Sequence, residues 1–190
     1  LAGVMMNRDF WINQGLFRAA WPAGVIGAAY GTLWFGLIVV GAMVAWQLHD
    51  ARRHPTDLRL LLLCLIAGFV LDSLFVQAGI LVYATPWPSS GVAPLWIMLL
   101  WVALALVINH SMSAFQNRLW LLSILGGIGS PMSYFAGSRF GAVEWAAPAW
   151  QVILATGLSW AILLPLLFRH ARRADQASES ELNSEGTLSR

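Results

Sequence analysis

Apolar runs of nearly bilayer-crossing length, parted by short polar turns, constrain this sequence more than any motif in it. They fall at about residues 10–26, 32–48, 58–82, 93–112, 119–137 and 148–168. Roughly 20 apolar residues carry a helix through the hydrocarbon core of a bilayer. A chain of 190 residues has room for several such runs but not for a separate soluble catalytic domain. The expected fold is therefore an all-α, polytopic transmembrane helix bundle of about six spans. It forms one domain over residues 10–170, followed by a Ser/Glu-rich, disordered cytoplasmic tail over 171–190.

Charge supports this class and sets an orientation. Only 11% of residues are charged while 58% are hydrophobic, whereas a water-soluble domain carries about 25% charged residues. The 11 tryptophans fit the headgroup level, where indole rings concentrate. The net charge of +2 comes from arginine alone. Because those arginines flank apolar runs, they are read as topology signals and not as a nucleic-acid surface. Arg52, Arg53 and Arg59 follow the second run, Arg118 the fourth, and Arg169, Arg172 and Arg173 the sixth. The turn after the third run has none, and that after the fifth has Arg139 balanced by Glu144. Positive charge gathers on the cytoplasmic side, so the chain is expected in a bacterial inner membrane with both termini cytoplasmic. The first run is the weakest, since Arg18 lies within it and Pro22 kinks it; an interfacial helix is its alternative. Asn13, Gln14 and Arg18 also spoil it as the core of a cleavable leader. The opening Leu1 is read as a non-standard start or a truncation.

Polar groups inside apolar runs mark the candidate site. Asp72 lies about 14 residues into the third run, some 20 Å along a helix of 1.5 Å rise. An unpaired carboxylate there costs about 2.5–3.5 kcal/mol even on a lenient insertion scale. It must be protonated, paired or wet. Ser130 and Tyr134 lie about 11 and 15 residues into the fifth run, which enters from the same side, so they share the depth of Asp72. These three form the expected polar core, in the outer half of the bundle, either as a ligand or proton site or as a packing carboxyl. Arg18 is placed to reach Asp72. Asn109 and His110 close the fourth run at the other side, about 100° apart as helical neighbours, so they should not face one small ligand together. His49, His54 and His170 share that edge and are read as solvated. Arg139 and Glu144 are read as headgroup-level anchors, with Arg139 able to hold a lipid phosphate. Gly126, Ser130, Ser133, Gly137 and Gly141 give a small-residue face for close helix packing, or for contact with a membrane-protein partner. No phosphate-loop lysine, paired histidine box or metal-ligand spacing is present, and Cys64 sits alone in an apolar run. No metal and no cofactor is expected.

These residues carry a resemblance. Leu71-Asp72-Ser73, Pro94-Leu95-Trp96, Leu100-Trp101, Asn109-His110-Ser111, Gly129-Ser130-Pro131 through Gly137, and Gly141-Ala142-Val143-Glu144 resemble a family of small bacterial inner-membrane proteins. That family is catalogued as a domain of unknown function, number twenty-eight seventy-eight. The likeness covers about residues 10–170; Arg18 and the Trp21-Pro22 pair depart from it. It implies a compact multi-span fold with a polar core and no defined activity. The leading functional reading is a membrane partner or scaffold for a lipid-related system, with membrane lipids as its surroundings. The alternatives are a small-solute or proton-linked transporter using Asp72, and a lipid-acting enzyme using Asp72, His110 or Tyr134.

Overall fold

The computed structural model describes residues 8–188. Six α-helices follow one another: α1 (Arg8–Ala29), α2 (Trp34–Gln47), α3 (Asp57–Gln77), α4 (Leu95–Ile108), α5 (Leu119–Arg139) and α6 (Ala149–Leu188). Two short strands, β1 (Leu81–Tyr83) and β2 (Val143–Trp145), and a 3-10 turn at Ser113–Asn117 fill the connections. Among the described residues, three stretches are long and apolar enough to cross a membrane: Asp57–Gln77, Leu119–Arg139 and Ala149–Ala174. The helices α2 and α4 are apolar but only 14 residues each.

The helices alternate in direction between two ends. At one end the start of α1, the start of α3 and the end of α4 meet through Asn13, Asp57, His110 and Ser111. Arg8, Arg52, Arg53 and Arg118 lie in the same segments, so this is the arginine end. At the other, β1 and β2 pair antiparallel in the register Leu81↔Trp145, Val82↔Glu144 and Tyr83↔Val143. This ribbon ties the α3–α4 connection to the α5–α6 connection. Thr85 donates to the Ala28 carbonyl at 2.8 Å and fastens the end of α1 there too.

The interior is built around α4, which packs against α1, α2 and α3, while α5 and α6 form a separate tight pair that touches α3. Close approach of that pair rests on missing side chains. A Cβ on Gly126 would lie 2.4 Å from the Trp160 carbonyl oxygen, and one on Gly157 2.9 Å from that of Gly127. Small residues let membrane-type helices approach this closely. The exterior reverses the pattern of a water-soluble protein: Ile38, Leu62, Ile66, Ile128, Leu158 and Ile162 are exposed, while Asn13, Gln47, Asp57 and Asp72 are buried.

The sequence boundaries shift at three places. The third apolar run does not continue as helix to residue 82; α3 ends at Gln77, Gly79 takes a left-handed φ of 66°, and residues 81–83 turn into ribbon. The α4 helix stops at Ile108 and not at Met112, because Asn109, His110 and Ser111 are drawn into hydrogen bonds with other elements. The first run packs within the bundle against α2 and α4 despite Pro22, and does not lie apart from it. Beyond Ala174 the helical trace of α6 continues to Leu188, into the segment expected as a tail.

Candidate functional site

Asp72 lies fully buried on α3 and joins four elements. Its Oδ1 accepts from the Tyr83 hydroxyl at 2.5 Å and from the Tyr134 hydroxyl at 2.8 Å; its Oδ2 accepts from Trp101 Nε1 at 2.7 Å. Each donor is held from behind. Tyr83 is set by the ribbon register and lies edge-on to Trp96, whose ring N–H binds the Ala84 carbonyl. Tyr134 lies edge-on to Phe75. The Trp101 indole occupies the space a side chain at position 68 would need, since a Cβ on Gly68 would sit 2.3 Å from the ring. Its other face stacks on Trp160 with centroids 4.8 Å apart. Gly68 and Asp72 are one helical turn apart, so one supplies the slot for Trp101 and the other its acceptor.

Asp72 and Tyr134 therefore meet as the shared depth suggests, but two other expected partners do not. Ser130 turns toward α6 and donates to the Thr156 carbonyl at 3.0 Å. Arg18 makes no pair with Asp72; it is exposed on α1, nearer the arginine end. The partners that sequence reasoning missed are Tyr83 and Trp101. Tyr83 lies one residue beyond the third apolar run, in a strand with no sequence signal of its own, and Trp101 lies in a run where one more tryptophan carries no signal.

Beside this clamp runs a groove of about 400 Å³. Its floor is α4, with Leu100 and Leu104; its walls are α1, with Phe17 and Trp21, and α5, with Leu125 and Gly129. The two walls belong to different packing units, since α1 packs on α2 and α4 while α5 packs on α6. Trp21 spans the gap near the ribbon end, donating to Ser133 Oγ at 2.8 Å. Arg18 and Leu125 are exposed on the rim, so the groove opens on the flank of the bundle. Along α5 it extends from Leu125 to Gly137, about 18 Å of helix. The small residues of α5 thus serve two faces. Gly126 and Gly127 meet α6, while a Cβ on Gly129 would meet nothing within 4 Å and that position hollows the groove.

A second polar cluster occupies the arginine end. The Asp57 side chain, fully buried, accepts from the His54 backbone N–H at 2.8 Å, Asn109 Nδ2 at 3.0 Å and His110 Nε2 at 2.9 Å. Gln47 Nε2 lies 3.1 Å from His110 Nδ1, and Gln47 Oε1 accepts from Asn13 Nδ2 at 2.7 Å. A side-chain amide donating to Nδ1 leaves the ring proton on Nε2, facing Asp57. Asn109 and His110 do converge on one group, contrary to the helical-wheel expectation, because the helix ends before them and turn geometry aims both at Asp57. His54 is half-buried against His110, with ring centroids 6.5 Å apart, and not simply solvated. Asn13, Gln47 and Asp57 were the missed members. Their only sequence signal was a polar residue near the end of an apolar run.

The two clusters are far apart. Asp57 and Asp72 are fifteen residues apart on one helix, about 22 Å. His110 therefore does not share a site with Asp72 and Tyr134. Arg139, at the end of α5, and Glu144, in β2, are both exposed and line a depression with Phe135 and Trp145. Among the described residues, no three His, Cys, Asp or Glu side chains gather as a metal site would require.

The chain belongs to the family described as Protein of unknown function (DUF2878), whose model matches residues 10–166. The match agrees with the resemblance carried by the Asp72, Asn109-His110 and Gly129–Gly137 segments. No curated protein and no solved structure matches it.

Proposed function

We propose that this protein is a six-span bacterial inner-membrane protein, both termini cytoplasmic, that holds a membrane-lipid chain in the groove between α1 and α5 as part of a lipid-related system. The groove is the observation that carries this reading. It is elongated parallel to the helices, nearly free of polar lining, and open on the flank where a bilayer would lie. Its volume of about 400 Å³ falls within the range of small-molecule sites, roughly 300–1,000 Å³. Exposed aliphatic side chains around the bundle suit lipid as the surrounding medium, because in water so much apolar surface drives association.

The bonding of Asp72 favours this reading over transport. A carrier carboxylate must exchange its partners for water or solute. Here both oxygens are occupied by donors fixed in three separate elements, which supports a structural clamp closing the ribbon end of the groove. The distance between Asp72 and His110 likewise weighs against an enzyme that uses them together.

The test fills the groove without disturbing the fold. Gly129 faces open space in the groove, so Gly129→Leu adds volume there at little packing cost. Trp21, Trp96, Trp101 and Trp160 line the same groove and report on its contents. Lipids with brominated chains quench tryptophan on contact. Titrated into the protein in mild detergent, they should give a saturable component that Gly129→Leu abolishes while circular dichroism and Tm stay unchanged. Equal saturable quenching in both proteins would refute the groove as a lipid site.

A further inference from the structure

We infer that Arg18 seats the anionic headgroup of the lipid whose chain lies in the groove, making the site selective for anionic amphiphiles. This rests on the groove holding a lipid chain and adds the chemistry of its other end. Arg18 is the only Asp, Glu, Lys or Arg residue between Phe10 and His49, and it lies on the groove rim. Two neighbouring arginines are engaged: Arg8 lies 3.9 Å and Arg52 3.6 Å from Asp9, and Arg52 also sits 3.8 Å over the Trp46 ring. Arg18 has no ion-pair partner among the described residues. The only carboxylate lining the groove, Asp72, is saturated by three donors toward the ribbon end.

Depth fits the same assignment. Asn13, one of the polar groups marking the arginine end, precedes Arg18 by five residues, about 7.5 Å of helix. An arginine stem is long enough to carry its guanidinium back to the headgroup level from there, with its methylenes along apolar surface. A planar guanidinium binds phosphate or carboxylate oxygens in pairs. The lipid would thus come from the leaflet at the arginine end, with its anionic group at Arg18 and one chain running along α5 toward Tyr134. A phospholipid phosphate and a fatty-acid carboxylate both satisfy this chemistry.

Three probes separate the cases: dibromostearate, dibromostearyl alcohol and phosphatidylglycerol with dibrominated chains, each titrated at pH 8 against tryptophan fluorescence. The wild-type protein should bind dibromostearate about tenfold more tightly than the alcohol, the size of one charge-assisted hydrogen-bonded contact. In Arg18→Gln that preference should vanish, with the affinity for the alcohol unchanged. Tighter binding of phosphatidylglycerol than of dibromostearate assigns a phospholipid, and the reverse a fatty acid. A wild-type protein that binds acid and alcohol equally, or an Arg18→Gln variant that keeps the preference, overturns the headgroup seat and leaves the lipid groove standing. Failure of all three probes to bind overturns both.

Discussion

Removing the Asp72 carboxylate would leave the Trp101 ring N–H and the Tyr83 and Tyr134 hydroxyls with only the two phenol oxygens to accept from them. Tyr83 and Trp101 are buried and Tyr134 is half-buried. A buried donor left without an acceptor costs about 1–3 kcal/mol, and the cavity adds to it, so Asp72→Ala should lose about 3 kcal/mol. Tyr134→Phe removes one bond and leaves Tyr83 on the same oxygen, so its loss should be nearer 1 kcal/mol. Thermal unfolding in mild detergent would rank the two. An Asp72→Ala protein as stable as the wild type would mean that the carboxylate is not a clamp. The pairing of Asp72 with Tyr134 is legible in the sequence, because two residues at matching depths in runs entering from one side have few other polar neighbours. Tyr83 and Trp101 were not legible. Their roles depend on a ribbon register and on which face of α4 meets α3, and neither leaves a periodic trace in a run that is apolar all round.

At the scale of elements, glycines decide how closely the helices approach. Trp101 cannot retreat from Gly68: Trp160 stacks on its other face and Asp72 holds its N–H. With a Cβ placed 2.3 Å from the ring, Gly68→Ala should push α3 and α4 apart and weaken the clamp together. Overpacking of this kind costs about 1–3 kcal/mol, and the change should appear as a lowered Tm with altered tryptophan fluorescence. Gly41, also within a helix but with nothing within 4 Å of its Cβ position, is the control: Gly41→Ala should be neutral or slightly stabilising. If both variants unfolded at the same temperature, the slot would not matter. The four-residue spacing of Gly126 and Ser130 announced a packing face, and both do meet α6. Gly68 stands alone in a leucine-rich run, and a single glycine does not say which aromatic ring covers it. The early end of α4 escaped notice for a related reason. Helical propensity runs on through residue 112, and only tertiary hydrogen bonds from Asp57, Asn13 and Gln47 end the helix sooner.

For the molecule as a whole, the six crossings proposed above would require α2 and α4 to traverse the bilayer although each is about 21 Å long, against a hydrocarbon core of about 30 Å. The shortfall falls where the chain can bear it. Irregular backbone at membrane depth is tolerated only when other parts of the protein satisfy it. Asn109, His110 and Ser111, which follow α4, are bonded to α1, α2 and α3, and Gln116 returns to the Ile108 carbonyl at 3.2 Å. At the other end of α4, Ala93 N–H donates to Ser73 Oγ and Leu95 N–H to the Trp87 carbonyl. The polar cluster thus completes α4 at its arginine end much as the connection from the ribbon completes it at the other. This arrangement makes topology directly testable. Ser90, in the ribbon-end connection, and Asp50, in the turn after α2, are both exposed, while native Cys64 is fully buried and should stay silent. In intact cells a membrane-impermeant maleimide should label Ser90→Cys and spare Asp50→Cys, which should react only once the inner membrane is opened. Labelling of Asp50→Cys from outside would invert the orientation read from the arginines and move the Arg18 seat to the opposite leaflet. Labelling of both would mean that the chain between them does not cross the membrane, and α3 would lose its place as a span.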